Sequence, residues 1–94
     1  MNTANLELEG LYVAVAAVNH LLVQKGVIAL AELQDALDEA HTVAKAAVKE
    51  RGLSGSNKEA ICFPVRFLRL ASDKADRGEP VDFHSVTRDI GRHF

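Results

Sequence analysis

The 94-residue sequence contains a single cysteine, Cys62, and no tryptophan. One cysteine cannot form a disulfide within the chain, and it cannot supply the ligands of a multi-cysteine zinc site or an iron–sulfur cluster. Proteins that fold without disulfides are typical of reducing compartments. We therefore expect a cytoplasmic protein that needs neither a disulfide nor a cofactor.

Long apolar runs are also missing. The best one, residues 11–18, ends at Asn19 and His20. Gln24 and Lys25 interrupt the next apolar stretch. A membrane-spanning helix needs about 18 to 20 consecutive apolar residues, and the first ten residues contain two glutamates but no lysine or arginine, unlike a secretory signal peptide. The sequence thus predicts a soluble chain with no membrane segment and no signal peptide.

Neither sign of charge dominates, since the formal net charge is −2. The first 50 residues contain three lysines and seven acidic residues, whereas residues 51–94 contain eight basic and six acidic residues. Strong nonspecific binding to nucleic acid depends on many clustered basic side chains, so this balance argues against nucleic acid as the main partner. With 48% hydrophobic and 26% charged residues, the composition is that of a folded chain.

Helical periodicity is the clearest pattern that the sequence does contain. Apolar residues recur every three or four positions through the first half, and no proline interrupts them. Gly26 separates two such segments, and glycine readily adopts the left-handed conformation that ends a helix. We therefore predict an all-α single domain, residues 1–94: a small bundle of about four helices beginning with an antiparallel helical hairpin, residues 4–25 and 30–50.

The second half is predicted to add two more helices. Ser56 and Glu59 have the spacing of a capping box, which predicts the start of the third helix. Pro64 lies inside the apolar pattern of this helix, so either the helix is kinked there or it begins at Phe63. The kink is the preferred interpretation. Asp82 is the predicted N-cap of a short fourth helix.

The apolar surface is larger than one small bundle needs. The first and third helices are apolar over more than half of their circumference, whereas surface helices usually have a narrower apolar stripe. A second copy or another protein can cover such a face, so we predict a homodimer. The alternative is a monomer whose own core covers both faces. The predicted interaction surface consists of Leu11, Val15, Val18, Phe63, Phe67 and Leu70.

Basic residues are concentrated in the second half. Arg69, Asp73 and Arg77 follow one another at i, i+4 spacing, and the simplest role of such a ladder is a solvated, salt-bridged helix face. The functional alternative is a weak anion or nucleic-acid surface shared by the third and fourth helices. Its candidate residues are Arg66, Arg69, Arg88 and Arg92.

Residues that could carry chemistry are few, and we expect no enzyme and no metal site. Asp38 and His41 have the spacing of carboxylate and histidine ligands in four-helix metal proteins, but such sites need further inward carboxylates. A solvated helix face is therefore the preferred interpretation of these two residues. Cys62 lies one and two helical turns before Arg66 and Arg69, whose positive charge favours a thiolate. Against a reactive thiol, an unpaired cysteine is more often a small buried hydrophobic residue.

One segment resembles a known structure. Residues 22–28, followed by Glu32 and Leu33, resemble a helical hairpin near the N-termini of several bacterial proteins, including nitrile hydratase subunits. The resemblance covers less than a third of the chain and implies a packing motif with a glycine stop. Nitrile hydratases bind their metal through a cysteine cluster that this chain lacks, so no activity is implied. Two hypotheses remain: a protein-interaction or regulatory module, and a weak nucleic-acid-binding domain.

Overall fold

The computed structural model describes residues 3–93, and it describes the side chains of residues 3–90. Over these residues the chain forms four α-helices and no strand, which confirms the predicted small all-α bundle. The helices are α1 (Thr3–Gln24), α2 (Leu30–Arg51), α3 (Gly55–Asp76) and α4 (Phe83–His93).

The end of α1 has the conformation that the sequence predicts. Gly26 has a φ of 72°, in the left-handed region. The backbone N–H of Gly26 donates to the Val23 carbonyl at 3.0 Å, and that of Val27 donates to the Leu22 carbonyl at 3.0 Å. These two bonds pair carbonyls that would otherwise be unsatisfied at the helix end. The chain can therefore leave α1 abruptly and begin α2 after a short turn.

The starts of α3 and α4 test two predicted caps. The Asp82 carboxylate accepts hydrogen bonds from the backbone N–H of Ser85 at 3.0 Å and from its hydroxyl at 2.6 Å, which confirms Asp82 as the N-cap of α4. The capping box predicted for Ser56 and Glu59 is wrong. The N-cap of α3 is Ser54, so Ser56 already lies inside the first turn, where its side chain cannot cap the helix.

Pro64 lies inside α3, which continues unbroken on both sides of it. The alternative in which the helix begins at Phe63 is therefore wrong. Proline has no N–H to donate to the carbonyl four residues earlier and is costly in a helix interior. Here the flanking residues Phe63 and Phe67 both pack into the aromatic centre of the molecule, and this packing helps to offset that cost.

The third helix is the centre of the bundle. It packs against α2, α1 and α4, whereas α1 and α2 make few contacts with each other. The predicted N-terminal hairpin is thus held together mainly through α3. The principal core cluster is formed by buried residues from α1, α3 and α4: Ala16, Phe67, Leu70, Ala71, Val86 and Ile90.

Four aromatic rings join the same three helices. Tyr12 of α1, Phe63 and Phe67 of α3 and Phe83 of α4 are in mutual contact, with all six centroid separations between 5.5 and 6.2 Å. Aromatic contacts at such separations add to the free energy gained by burying the rings. Tyr12 is the anchor that fixes the rotation of α1 about its axis, and this rotation decides which side of α1 faces solvent.

Candidate interaction surface and cationic groove

The side of α1 away from Tyr12 is apolar, and nothing in the described chain covers it. Ala16 is the one described residue of α1 that is buried. Of the seven large hydrophobic residues that are exposed in the described chain, five lie on α1. They are between 45 and 56% exposed: Leu6, Leu8, Leu11, Val18 and Leu21. The fold therefore uses only a narrow side of its most apolar helix.

Six exposed residues of this helix and its last turn form one line, which we call the outer seam. They follow one another at alternating spacings of four and three residues, the spacing at which helices pair in coiled coils. All six are exposed to solvent. The outer seam consists of Glu7, Leu11, Ala14, Val18, Leu21 and Lys25.

Some residues of the predicted interaction surface are exposed in the structure, and others are buried. Leu11 and Val18 are each 56% exposed, and Val15 is half-buried beside them. Phe63, a further residue of that prediction, is half-buried in the aromatic cluster.

The prediction that Phe67 and Leu70 belong to the interaction surface is wrong, because these side chains are 0 and 2% exposed and belong to the core. A partner cannot reach them in this conformation. The broad apolar character of α3 is explained by its central position, since three helices pack on it, and no outside partner is needed to cover it.

Two of the polar residues that interrupt the apolar sequence of α1, Asn19 and His20, lie on its inner side. Asn19 and His20 line a cavity of about 10 Å³ together with residues of α2 and α3. By length and composition, α1 is the one described helix that could cross a membrane, with 22 residues and a mean hydropathy of 1.4 over its 18-residue window. Asn19 and His20 therefore do not break the apolar character of the outer seam, and Lys25 stands at its end.

The arginines of the predicted anion surface are placed in different surroundings. Arg69 forms ion pairs with Asp38 at 3.1 Å and with Asp73 at 3.0 Å, so the predicted i, i+4 pair is present and its charge is matched. Arg88 pairs with Asp89 at 3.3 Å. The side chain of Arg92 lies outside the described residues. The remaining member, Arg66, lines a groove between α2 and α3.

This second feature, the cationic groove, has a volume of about 490 Å³. It lies where the first turns of α3 pass the middle of α2. Three cationic side chains line it, together with a histidine, a buried cysteine, a glycine and a glutamate: Lys45, Lys58, Arg66, His41, Cys62, Gly55 and Glu59. Its lining is thus rich in positive charge, and the groove can accept an anionic group.

The pKa of His41 reflects its burial and, to a smaller extent, the positive charge around this groove. It lies below the ordinary histidine value, mainly because burial penalises the charged imidazolium and also because Lys45 and Arg66 repel a further positive charge. Asp38 acts in the opposite direction but less strongly. His41 is therefore a neutral hydrogen-bonding group near pH 7, beside cations that carry the charge.

Sequence reasoning missed this groove, because its residues are separated by the turn between α2 and α3. Asp38 and His41 were assigned to a solvated helix face, with a metal site as the alternative, and Asp38 pairs with Arg69. Within the described residues no three His, Cys, Asp or Glu side chains come close enough to hold a metal ion. Cys62 is 6% exposed, as expected for a small buried residue. The reactivity of its thiol stays a hypothesis.

A buried ion pair joins α3 to α4. Lys74 is only 4% exposed, and its ammonium group donates a hydrogen bond to Asp89 at 2.8 Å and lies 3.5 Å from Glu79. The hydrogen bond from Lys74, and then that from Arg88, lowers the pKa of Asp89 to about 2. Buried lysines are rare unless they are paired, so this contact is a structural tie between the two helices.

Comparison with protein-family models, with curated proteins and with solved structures finds no significant match. The likeness to the nitrile hydratase hairpin therefore remains a local resemblance. Any functional inference must rest on the outer seam and the cationic groove themselves.

Proposed function

We propose that this chain is a small helical protein-interaction module that acts as a homodimer, with the outer seam as its interface. The observation that carries the proposal is the exposure of Leu11, Val18 and Leu21 in coiled-coil spacing on a helix whose other side is anchored in the core. A second copy of the chain provides a helix of matching pattern. Pairing the two seams removes apolar surface from water, which is the main driving force of association.

The size of the seam indicates the strength of the dimer. Three large side chains per protomer, each about half exposed, contribute on the order of 1 kcal/mol each when covered. Association also costs several kcal/mol in lost rotational and translational freedom. We therefore expect a weak dimer that dissociates reversibly on dilution, so the measurement must extend to high protein concentration. The proposal keeps the cytoplasmic location inferred from the single cysteine and includes no catalytic step.

The test is the solution mass of the protein, measured by size-exclusion chromatography with light scattering over a range of concentrations. The wild-type chain is expected to approach twice the monomer mass as its concentration rises. Val18→Glu places a charge in the middle of the seam and should keep the chain monomeric. The matched control is Val43→Glu, because Val43 is 64% exposed on α2, away from the seam.

Both variants change an exposed valine to glutamate, so loss of the dimer in Val18→Glu alone would identify α1 as the interface. Equal loss in both variants would point to net charge, not to the seam. A wild-type chain that stays monomeric at several hundred micromolar would contradict the proposal.

Weak binding of anions, including the phosphates of nucleic acid, is the second candidate function. It is favoured by the convergence of Lys45, Lys58 and Arg66 on one groove beside the start of a helix, where the backbone also favours negative charge. This site differs from the predicted face of the third and fourth helices, with which it shares only Arg66. The candidate ligand is thus a phosphate-bearing chain lying along α2 and α3.

The second candidate is tested by fluorescence anisotropy with a labelled single-stranded oligonucleotide at low salt. The double variant Lys45→Ala with Arg66→Ala should weaken binding and lower the slope of log K against log salt concentration by about 1.4. Lys49→Ala, which removes an exposed lysine of α2 outside the groove lining, is the control. Bound phosphate should also raise the pKa of His41 in an NMR titration. An absence of binding at low salt would remove this candidate.

A further inference from the structure

The outer seam has the same pattern when it is read in either direction along α1. Position 16 is its centre. Three pairs of its residues lie at equal distances on either side of this centre: Leu11 and Leu21, Ala14 and Val18, Glu7 and Lys25. In two-fold symmetric pairing a residue at one position meets the partner's residue at the mirrored position. A seam with this internal symmetry is therefore suited to pairing with a copy that runs in the opposite direction.

We infer that a second copy of this chain docks on the outer seam antiparallel to the first, with Glu7 of each protomer against the partner's Lys25. This inference rests on the proposed dimer and specifies its geometry. The seam from Glu7 to Lys25 extends over about 27 Å at the helical rise. One ion pair closes it at each end, and the apolar residues lie between the two pairs.

The apolar layers of this arrangement complement one another in size. Each Leu11 meets the partner's Leu21, and each Ala14 meets the partner's Val18. The small alanine leaves room for the branched valine, so neither a gap nor an overlap is forced at the middle of the seam. In a parallel pairing Ala14 would face its own copy and leave the layer underfilled.

Charge distinguishes the two directions more clearly. A parallel, in-register pair would place Glu7 against Glu7 and Lys25 against Lys25, whereas the antiparallel pair converts both repulsions into attractions. Both side chains are exposed, and within the described residues neither takes part in an ion pair of its own chain. The backbone N–H of Lys25 donates to the Leu21 carbonyl at 2.9 Å, which keeps Lys25 in the helical line of the seam.

A lipid bilayer is the other environment that an apolar helix of this length suits. Lipid requires neither opposite charges at equal distances from a centre nor a small residue opposite a branched one. These two features favour a protein copy as the occupant of the seam, and a membrane becomes an outcome that the experiment distinguishes.

The experiment measures dissociation constants by analytical ultracentrifugation at low salt for the wild-type chain, Glu7→Lys, Lys25→Glu and the double variant. In the antiparallel dimer each single change creates two like-charge contacts, so each should raise the Kd about threefold to tenfold. The double variant exchanges the charges and should return the Kd to within about twofold of wild type. These differences should largely disappear near 1 M salt, where screening acts within about 3 Å. Single variants that bind as tightly as wild type would overturn the inference.

Matched controls come from the exposed face of α2. Glu39→Lys and Lys49→Glu make the same charge changes outside the seam, and they should leave the Kd unchanged. If they weaken the dimer as much as the seam variants do, the effect belongs to net charge and the inference fails.

Cysteine cross-linking measures the direction independently of the charges. In a Cys62→Ala background, a mixture of Leu11→Cys and Leu21→Cys chains should form a disulfide-linked heterodimer under mild oxidation. Leu11→Cys chains alone should not form a disulfide-linked homodimer. In the antiparallel pair the two introduced thiols would be offset by ten residues along the helix, or about 15 Å, which is beyond the reach of a disulfide. Efficient cross-linking of Leu11→Cys with itself would show a parallel dimer, which overturns the direction but leaves the proposed homodimer standing.

Failure of the dimer itself gives a different result. A wild-type chain that is monomeric by ultracentrifugation overturns both the proposed function and this inference. Such a monomer is then tested by sedimentation with phosphatidylcholine and phosphatidylglycerol vesicles, where binding that Val18→Glu abolishes would assign the outer seam to lipid.

Discussion

Lys74 is the residue whose burial and charge most affect the stability of the bundle. Its ammonium group is nearly excluded from water and lies 2.8 Å from Asp89 of α4. Removal of the nearer partner of a buried charge is destabilising, because Lys74 then keeps only the longer contact with Glu79, at 3.5 Å. We predict that Asp89→Asn lowers the thermal midpoint by on the order of 10 °C, measured by circular dichroism.

Two further variants separate this explanation from a general effect of charge. Arg88→Gln removes the more exposed partner of Asp89 and should change the midpoint by no more than about 2 °C. Lys74→Met removes the buried charge itself and keeps most of the volume, so it should cost less than Asp89→Asn. If Asp89→Asn is no worse than Arg88→Gln, the pair between Lys74 and Asp89 is not a structural tie.

The same pair predicts a pH dependence. The pKa of Asp89 is about 2 in the folded chain, mainly because of its hydrogen bond from Lys74, whereas an unfolded aspartate has a pKa near 3.8. A lowered pKa means that the unfolded state binds the proton more readily, so stability falls as the pH drops from about 4 to about 2. Urea midpoints measured from pH 5 to pH 2 should fall less steeply for Asp89→Asn than for wild type. Parallel curves for the two proteins would contradict the assignment.

Among the helices, the end of α1 depends on one backbone conformation. Gly26 has a φ of 72°, and a Cβ there would meet no atom within 4 Å, so Gly26→Ala changes backbone strain alone. We predict a loss of about 1 kcal/mol in the free energy of unfolding. Gly10 also has open space around it but lies inside α1, so Gly10→Ala should gain about 0.5–1 kcal/mol. Urea unfolding in a Val18→Glu background tests both variants without interference from association. If Gly26→Ala and Gly10→Ala change the free energy of unfolding in the same direction, this explanation is contradicted.

The sequence predicted the helices better than it predicted their arrangement. Apolar spacing and Gly26 placed the first two helices within about two residues of their observed ends, and Asp82 marked the start of α4. These signals are local, since each depends on residues within one or two helical turns. Ser56 failed because Ser54, two residues earlier, offers a comparable start, and sequence alone does not decide which serine begins the helix.

The identity of the central helix is not a local property. The first and third helices have similarly broad apolar surfaces in the sequence, but α3 is covered by three neighbours whereas α1 is covered on one narrow side. Phe67 and Leu70 were therefore assigned to a partner surface when they belong to the core. The cationic groove escaped prediction for the same reason, since His41 and Arg66 come together only when α2 packs on α3.

At the scale of the whole molecule, α1 is both an anchor of the fold and its proposed interface. Its inner side provides Tyr12 and Ala16 to the core, and its outer side remains in water. A partner bound to the outer seam would also hold α1 more firmly against α3 and α4. Association and folding are thus expected to be thermodynamically linked, since a partner that binds only the folded chain raises its stability.

This linkage predicts that the thermal midpoint rises with protein concentration. A tenfold rise in concentration stabilises a dimer by up to about 1.4 kcal/mol, which corresponds to a few degrees for a chain of this size. Scanning calorimetry from about 5 to 500 µM should show this rise for wild type and for Val43→Glu, and a constant midpoint for Val18→Glu. The extrapolated low-concentration midpoints of wild type and Val18→Glu should agree, because Val18 is exposed in the monomer and contributes little to its core. A wild-type midpoint that does not change over this range would mean that the outer seam adds nothing to stability in solution, and that α1 is held by its inner contacts alone.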